Sequence, residues 1–126
     1  MNYPEKLFYT KDHEWIFFKD ETAFIGITDF AQKELGDIVY LDISTLNETV
    51  DKEQVFGTVE AVKTVSDLFM PVTGSVLEVN QKIIDKPELI NHDPYGEGWL
   101  IRIHVINEAE KKHLLTSDEY KKLIGV

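Results

Sequence analysis

The chain of 126 residues contains no cysteine. That excludes disulfides, thiolate nucleophiles and cysteine metal sites, so any thiol chemistry must be supplied by a bound group. Arg102 is the only arginine among 13 basic residues, which face 23 acidic ones for a net charge of −10. A nucleic-acid binder needs the opposite balance, and acidic lipid surfaces are disfavoured for the same reason. No apolar run approaches the roughly 20 residues of a membrane span. Met1 to Lys6 has neither a signal-peptide core nor an arginine-rich transit pattern, so a soluble cytoplasmic protein is expected. The seven glycines form no phosphate loop, and no Gly-x-Ser-x-Gly is present. His13, His92, His104 and His113 lack the spacing with carboxylates that a zinc site shows, so no metal is expected. Catalysis by protein groups alone is weakly supported.

What is present is a β-rich pattern. Hydrophobic residues make up 43% of the chain, enough for one compact domain over residues 1–126. His13 to Phe18 and Thr22 to Thr28 read as strands around a polar turn. Asp29 to Gln32 resembles a capping box with aspartate as the cap, opening a short helix that stops at Gly36. Asp37 to Ile43 alternates as a third strand, and Glu48 to Gln54 reads as a polar connection. Val55 to Val62 and Val65 to Val72 form two arms of a hairpin. Ser75 to Asn80 follows, then a short irregular stretch from Asp85 to Asn91. The last strand, Trp99 to Val105, carries Trp99, Ile101, Ile103 and Val105 on one face. Two helices close the chain, Asn107 to His113 and Thr116 to Ile124, the second with Tyr120, Leu123 and Ile124 as its apolar stripe. Many short strands followed by terminal helices imply a mainly β sandwich with helical decoration.

The hairpin carries the most unusual residue. Val62 and Val65 flank Lys63-Thr64, the spacing of a two-residue turn. Asn-Gly or Asp-Gly is the favoured pair at such a tip, because both tolerate positive φ. A lysine and a β-branched threonine are poor turn formers, which suggests that the side chain is what matters there. A lysine amine held out on a stiff ribbon is accessible to a modifying enzyme. Lys63 is equally readable as one of twelve ordinary surface lysines. Glu14 and Asp67 are positioned to face a cleft beside the tip, or to be plain surface carboxylates.

Five segments, in order, carry a resemblance over nearly the whole chain: Tyr9-Thr10-x-x-His13-Glu14-Trp15; Gly26-Ile27-Thr28-x-Phe30-Ala31-Gln32-x-x-Leu35-Gly36-Asp37-Ile38-Val39; Val59-Glu60-x-Val62-Lys63-x-Val65-Ser66-Asp67; Pro71-Val72-x-Gly74-x-Val76-x-Glu78-Val79-Asn80; and Asp93-Pro94-Tyr95-Gly96-x-Gly98-Trp99-Leu100. Together they resemble the H-protein family of the glycine cleavage system. The resemblance implies a lipoyl-type barrel sandwich of two packed antiparallel sheets, with lipoate amide-linked to Lys63. It implies a non-catalytic shuttle among three enzymes. These are a pyridoxal-phosphate glycine decarboxylase (P protein), a tetrahydrofolate-dependent aminomethyltransferase (T protein) and a dihydrolipoyl dehydrogenase (L protein). A lipoyl-attaching enzyme is a fourth partner, and Glu60 is a candidate for its recognition. The resemblance further implies that the loaded arm folds into a cleft near Glu14 and Asp67, where the two carboxylates hold its aminomethyl nitrogen protonated.

The chain departs from the family pattern at Thr64, where alanine is common, at Ala61, where serine is frequent, and at Asp42, where proline is expected. These positions are peripheral and do not disturb the modification site. Biotin carriers also use a tip lysine, but between methionines, and here the neighbours are Val62 and Thr64. The lipoyl domains of 2-oxoacid dehydrogenase complexes typically carry Asp-Lys-Ala at the tip and sit in longer, linker-bearing chains. An enzyme using Glu14 and Asp67 as an acid–base pair would turn over substrate without partners. A relay that donates lipoate to other carriers would share Lys63 and the fold, so the sequence does not separate it from the shuttle.

Overall fold

The computed structural model describes residues 2–126. Among these residues, nine strands form two antiparallel sheets. Strands β1 (Phe8–Tyr9), β2 (Glu14–Lys19), β3 (Thr22–Ile27), β5 (Thr49–Val50), β8 (Gly74–Val79) and β9 (Ile101–Val105) make the larger sheet, in the order β1-β2-β3-β9-β8-β5. Strands β4 (Ile38–Asp42), β6 (Val55–Ala61) and β7 (Val65–Phe69) make the smaller one, in the order β4-β6-β7. Helices α1 (Asp29–Leu35), α2 (Gln81–Asp85), α3 (Leu89–His92) and α4 (Ser117–Ile124) decorate them, with a 3-10 helix at Glu108–His113. The expected sandwich, with two short helices at its C-terminal end, is what forms.

Alternation in β2 explains how the larger sheet is buried on both faces. Ile16 and Phe18 join Ile25, Leu41, Phe56, Val59 and Leu68 in a core between the sheets. Trp15 and Phe17 face the other way, into an aromatic cluster with Tyr3, Leu7, Tyr9 and Tyr120 beneath α4. There the rings of Tyr9 and Tyr120 stack at 4.8 Å, a contact worth about 1 kcal/mol beyond area burial. The capping box of α4 pairs Thr116 with Glu119, and Gly125 ends the helix in the left-handed conformation.

Several local expectations are corrected. The cap of α1 is Thr28, whose Oγ1 accepts from Ala31 N–H, so Asp29 is the first helical residue. Alternation in β4 fails because a bulge between Ile38 and Tyr40 leaves both Val39 and Tyr40 exposed. The polar connection at residues 48–54 contains β5, paired with β8. Residues 85–91 are ordered by two short helices, the first capped by Asn80 Oδ1 accepting from Lys82 N–H. Trp99 precedes its strand and stacks edge-on against Phe24 in the aromatic cluster, apart from Ile101 and Ile103. Leu123 is exposed, leaving Tyr120 as the buried anchor of α4. Glu110 accepts from Thr73 N–H and Thr73 Oγ1 and ties the 3-10 helix to the chain before β8.

Gly26 lies opposite Trp15 across β2 and β3, and a Cβ at this position would stand 2.5 Å from the indole. The indole cannot retreat freely, because its Nε1–H donates to Pro94 O at 3.0 Å. Gly26→Ala is expected to lower stability by about 1–3 kcal/mol, read as a fall in the urea midpoint with an unchanged slope.

Candidate functional site

Strands β6 and β7 pair in register as a hairpin, with Val59 opposite Ser66, and Glu60 opposite Val65. Ala61 N–H donates to Thr64 O at 2.8 Å, so the two residues at the bend are Val62 and Lys63. The expected tip pair, Lys63-Thr64, is displaced by one residue. Positive φ occurs at His13, Asp20, Asn47 and Glu53 among the non-glycine residues described, and at none of the tip residues. The bend therefore has no need of Asn-Gly, and its poor match to that preference has a backbone explanation. The neighbouring strand braces it, because Val62 N–H donates to Asp37 O at 3.1 Å. Lys63 is exposed and belongs to none of the ion pairs among the described residues.

Glu14 is not a surface carboxylate. A tight turn from Thr10, closed by His13 N–H donating to Thr10 O and strained at His13 (φ 68°), aims it inward at the start of β2. The residue is 2% exposed. Its Oε1 accepts from Thr10 Oγ1 at 2.9 Å, and its Oε2 accepts from Phe69 N–H at 3.1 Å. Burial pushes its pKa up to about 8, against the opposing pull of the two hydrogen bonds. The neutral acid is therefore the main form near pH 7. The His13 ring is held below its usual pKa, again by burial, and its Nδ1 lies 2.8 Å from Tyr120 Oη. Tyr120 Oη also meets Thr28 Oγ1 at 2.8 Å, which ties α4 to the cap of α1.

Glu14 and Asp67 line one cleft of about 350 Å³. Its apolar wall is built by Ile27, Phe30, Ala31, Leu35, Val59 and Leu68. Helix α1 contributes no fully buried residue, because the face carrying Ala31 and Leu35 looks into this open space. Asp67 is exposed at the lip, and the pleat of β7 turns its side chain to the opposite face from Ser66 and Leu68. A second cavity of about 330 Å³ is lined by Val62 and Lys63 on one side and by Lys33 to Asp37 on the other. The two cavities share Glu34 and Leu35, so they adjoin on the path between the tip lysine and the buried carboxylate. Glu60 lies off this path, exposed on the outer face between Tyr40 and Val65.

Sequence reasoning missed Thr10, Phe30, Glu34 and Leu35. The i,i+4 spacing of Ala31 and Leu35, and the Thr10-x-x-x-Glu14 pair, were the available signals.

Comparison with known proteins accords with this geometry. A family model described as "Glycine cleavage H-protein" matches residues 7–125. The glycine cleavage system H protein of Bacteroides fragilis is 51% identical over 125 residues, covering 99% of both chains. That of Listeria monocytogenes is 48% identical over 124 residues, covering 98% of this chain and 99% of its own. A crystal structure of a glycine cleavage system H protein from Mycobacterium marinum superposes with a TM-score of 0.88 at 39% identity, over 98% of this chain and 99% of its own.

The raised pKa of Glu14 has a consequence for stability. The unfolded carboxyl titrates near 4.5 and the folded one near 8, so the folded state holds the proton more tightly between those values. Stability from this group is intact below pH 4.5 and falls as the pH rises toward 8. Glu14→Gln is expected to flatten that part of the pH profile, so that the variant gains on the parent at alkaline pH in urea titrations run at a series of pH values.

Proposed function

The chain belongs to the glycine cleavage H-protein family, and from that membership we propose that Lys63 carries a lipoyl group in amide linkage and that residues 1–126 act as one lipoyl-binding domain. The H protein is the carrier component of the glycine cleavage system, the lipoyl shuttle for the aminomethyl group of glycine, and is not itself a catalyst. The observation that carries the assignment to Lys63 is an exposed amine at a braced bend, joined by adjoining cavities to a buried carboxylate.

A lipoyl dithiolane supplies the disulfide that accepts the aminomethyl group and the dithiol that is afterwards reoxidised. The protein's own residues do the rest. The braced tip presents one defined amine to a lipoyl-attaching enzyme, and exposed Glu60 stands close enough to the tip to be read with it. A tether on a rigid ribbon gives each partner site a high effective concentration of the reacting end. The partners are the glycine decarboxylase, the aminomethyltransferase and the dihydrolipoyl dehydrogenase, met in the cytoplasm.

Between encounters, the cleft holds the cargo. Glu14 and Asp67 would face the cargo nitrogen there, and keeping that nitrogen protonated would protect the load from loss to water. Glu14, neutral while no cation is near, gives up its proton as an ammonium arrives and then favours the charged nitrogen. Asp67 adds negative charge at the lip, and the wall of Phe30 and Leu35 keeps water away.

Intact mass and peptide mapping of protein from its native source are expected to place a lipoyl adduct on Lys63, and Lys63→Arg is expected to abolish it. A biotinyl adduct, or none where other carriers are modified, would overturn the assignment. Glu14→Gln is expected to shorten the lifetime of the aminomethyl-loaded form by about tenfold, the weight of one charge-assisted hydrogen bond. Asp67→Asn is expected to shorten it less. Equal lifetimes in parent and Glu14→Gln would remove Glu14 from the role.

A further inference from the structure

Strand β7 is one edge of the smaller sheet, and β4 is the other. The phase of its ladder is fixed by Ala61 N–H donating to Thr64 O, which makes residues 61 and 64 a hydrogen-bonded pair. Counting by two, Ser66 and Leu68 also turn their main-chain groups toward β6. Val65, Asp67 and Phe69 must then direct theirs outward, away from the sheet. Phe69 bears this out, because its N–H is taken by Glu14 Oε2 from the larger sheet. The Val65 carbonyl meets only a long contact from Thr64 Oγ1, at 3.5 Å. The edge donors of Val65 and Asp67 thus line up with a third that already ends on the carboxylate of the cleft.

Strand β7 itself runs from Lys63 toward Glu14, because Phe69 at its far end donates to the Glu14 carboxylate. Val62 and Lys63 line the second cavity and Ser66 to Leu68 line the cleft, with Thr64 and Val65 between them in the chain. Five bonds of extended lysine side chain reach about 6 Å from Cα to Nζ. Two residues of strand rise roughly 6.6 Å. The amide made by acylating Lys63 would therefore stand level with Val65, while Asp67 lies roughly 13 Å along the strand, within reach of the distal end of the arm.

We propose that the amide carbonyl of a seated lipoyl-lysine accepts a hydrogen bond from the Val65 main-chain N–H, so that the arm lies along β7 as an added strand. This rests on lipoylation of Lys63 and on the seating of the loaded arm in the cleft. The bond fixes the register of the arm at its midpoint and leaves the distal end to the Glu14 carboxylate. It uses a donor that the fold does not otherwise employ, so the site exists without disturbing the ladder.

Amide hydrogen exchange in ¹⁵N-labelled, lipoylated protein tests it. Loading with the aminomethyl group is expected to slow exchange at Val65 N–H by about tenfold. Resonances of Ile27 and Leu68, in the wall of the cleft, should shift at the same time. Shifted wall resonances with unchanged exchange at Val65 would overturn the inference and leave the seating intact. Protection at Asp67 in place of Val65 would overturn the register. Unshifted wall resonances would overturn the seating itself. Val65→Pro removes only this outward N–H, a change that edge strands tolerate. Matched for lipoyl content by intact mass, it is expected to shorten the loaded lifetime several-fold, whereas Val65→Ala leaves it unchanged; equal lifetimes in the two variants would count against the bond.

Discussion

The carboxyl of Glu14 joins the two sheets where the function is placed. One oxygen is held by Thr10 at the entry to β2, and the other takes the outward N–H of Phe69 at the end of β7. Without that bridge, β7 would meet the larger sheet only through apolar packing, and the cleft would have no fixed floor. Burial makes the bridge expensive to ionise, and its two hydrogen bonds do not offset that cost. The group is therefore a structural tie and a store of unrealised charge at once. A cation entering the cleft would supply the compensation that the fold lacks.

The rest of the site is arranged around this tie. Helix α1 leans its apolar face over the cleft without closing it, anchored by Thr28 at one end and by Gly36, at positive φ, at the other. Thr28 is in turn held by Tyr120 from α4, which also holds His13 beside Glu14. The C-terminal helix thus supports both walls of the cleft from behind, although no residue of α4 lines it. The stacked Tyr9 and Tyr120 rings make that support rigid.

The legible parts of the chain were those governed by neighbours in sequence. The arms around Lys63 alternate, so the hairpin is readable, and the capping residues of α4 mark its start within one residue. Helices α2 and α3, five and four residues long, were missed because one turn carries too little periodicity to detect. The bulge in β4 misled the alternation of Ile38 and Tyr40, since an inserted residue shifts the phase without changing composition. Glu14 was hardest. Its burial depends on Phe69, 55 residues away, and nothing local distinguishes it from an exposed strand carboxylate. The sequence left it open between a cleft and the surface, and the geometry decides for burial.

An open edge strand is a hazard, because its outward donors and acceptors invite another chain. Here the edge is five residues long, ends at one side on the Glu14 carboxylate, and carries Asp67 on its outer face. A net charge of −10 adds general repulsion between copies. These devices guard the edge without covering it. Covering it permanently, with a further strand or a helix, would close the route between Lys63 and Glu14. A carrier that must release its cargo to several enzymes needs the route open for part of each cycle. The same requirement limits how tightly the cleft can hold, since whatever is buried against Phe30 and Leu35 must be given up again at each encounter. A carboxylic acid that becomes charged only when its counter-ion arrives suits that compromise better than a permanently ionised one. The hold vanishes with the cation, and the empty cleft returns to a neutral state.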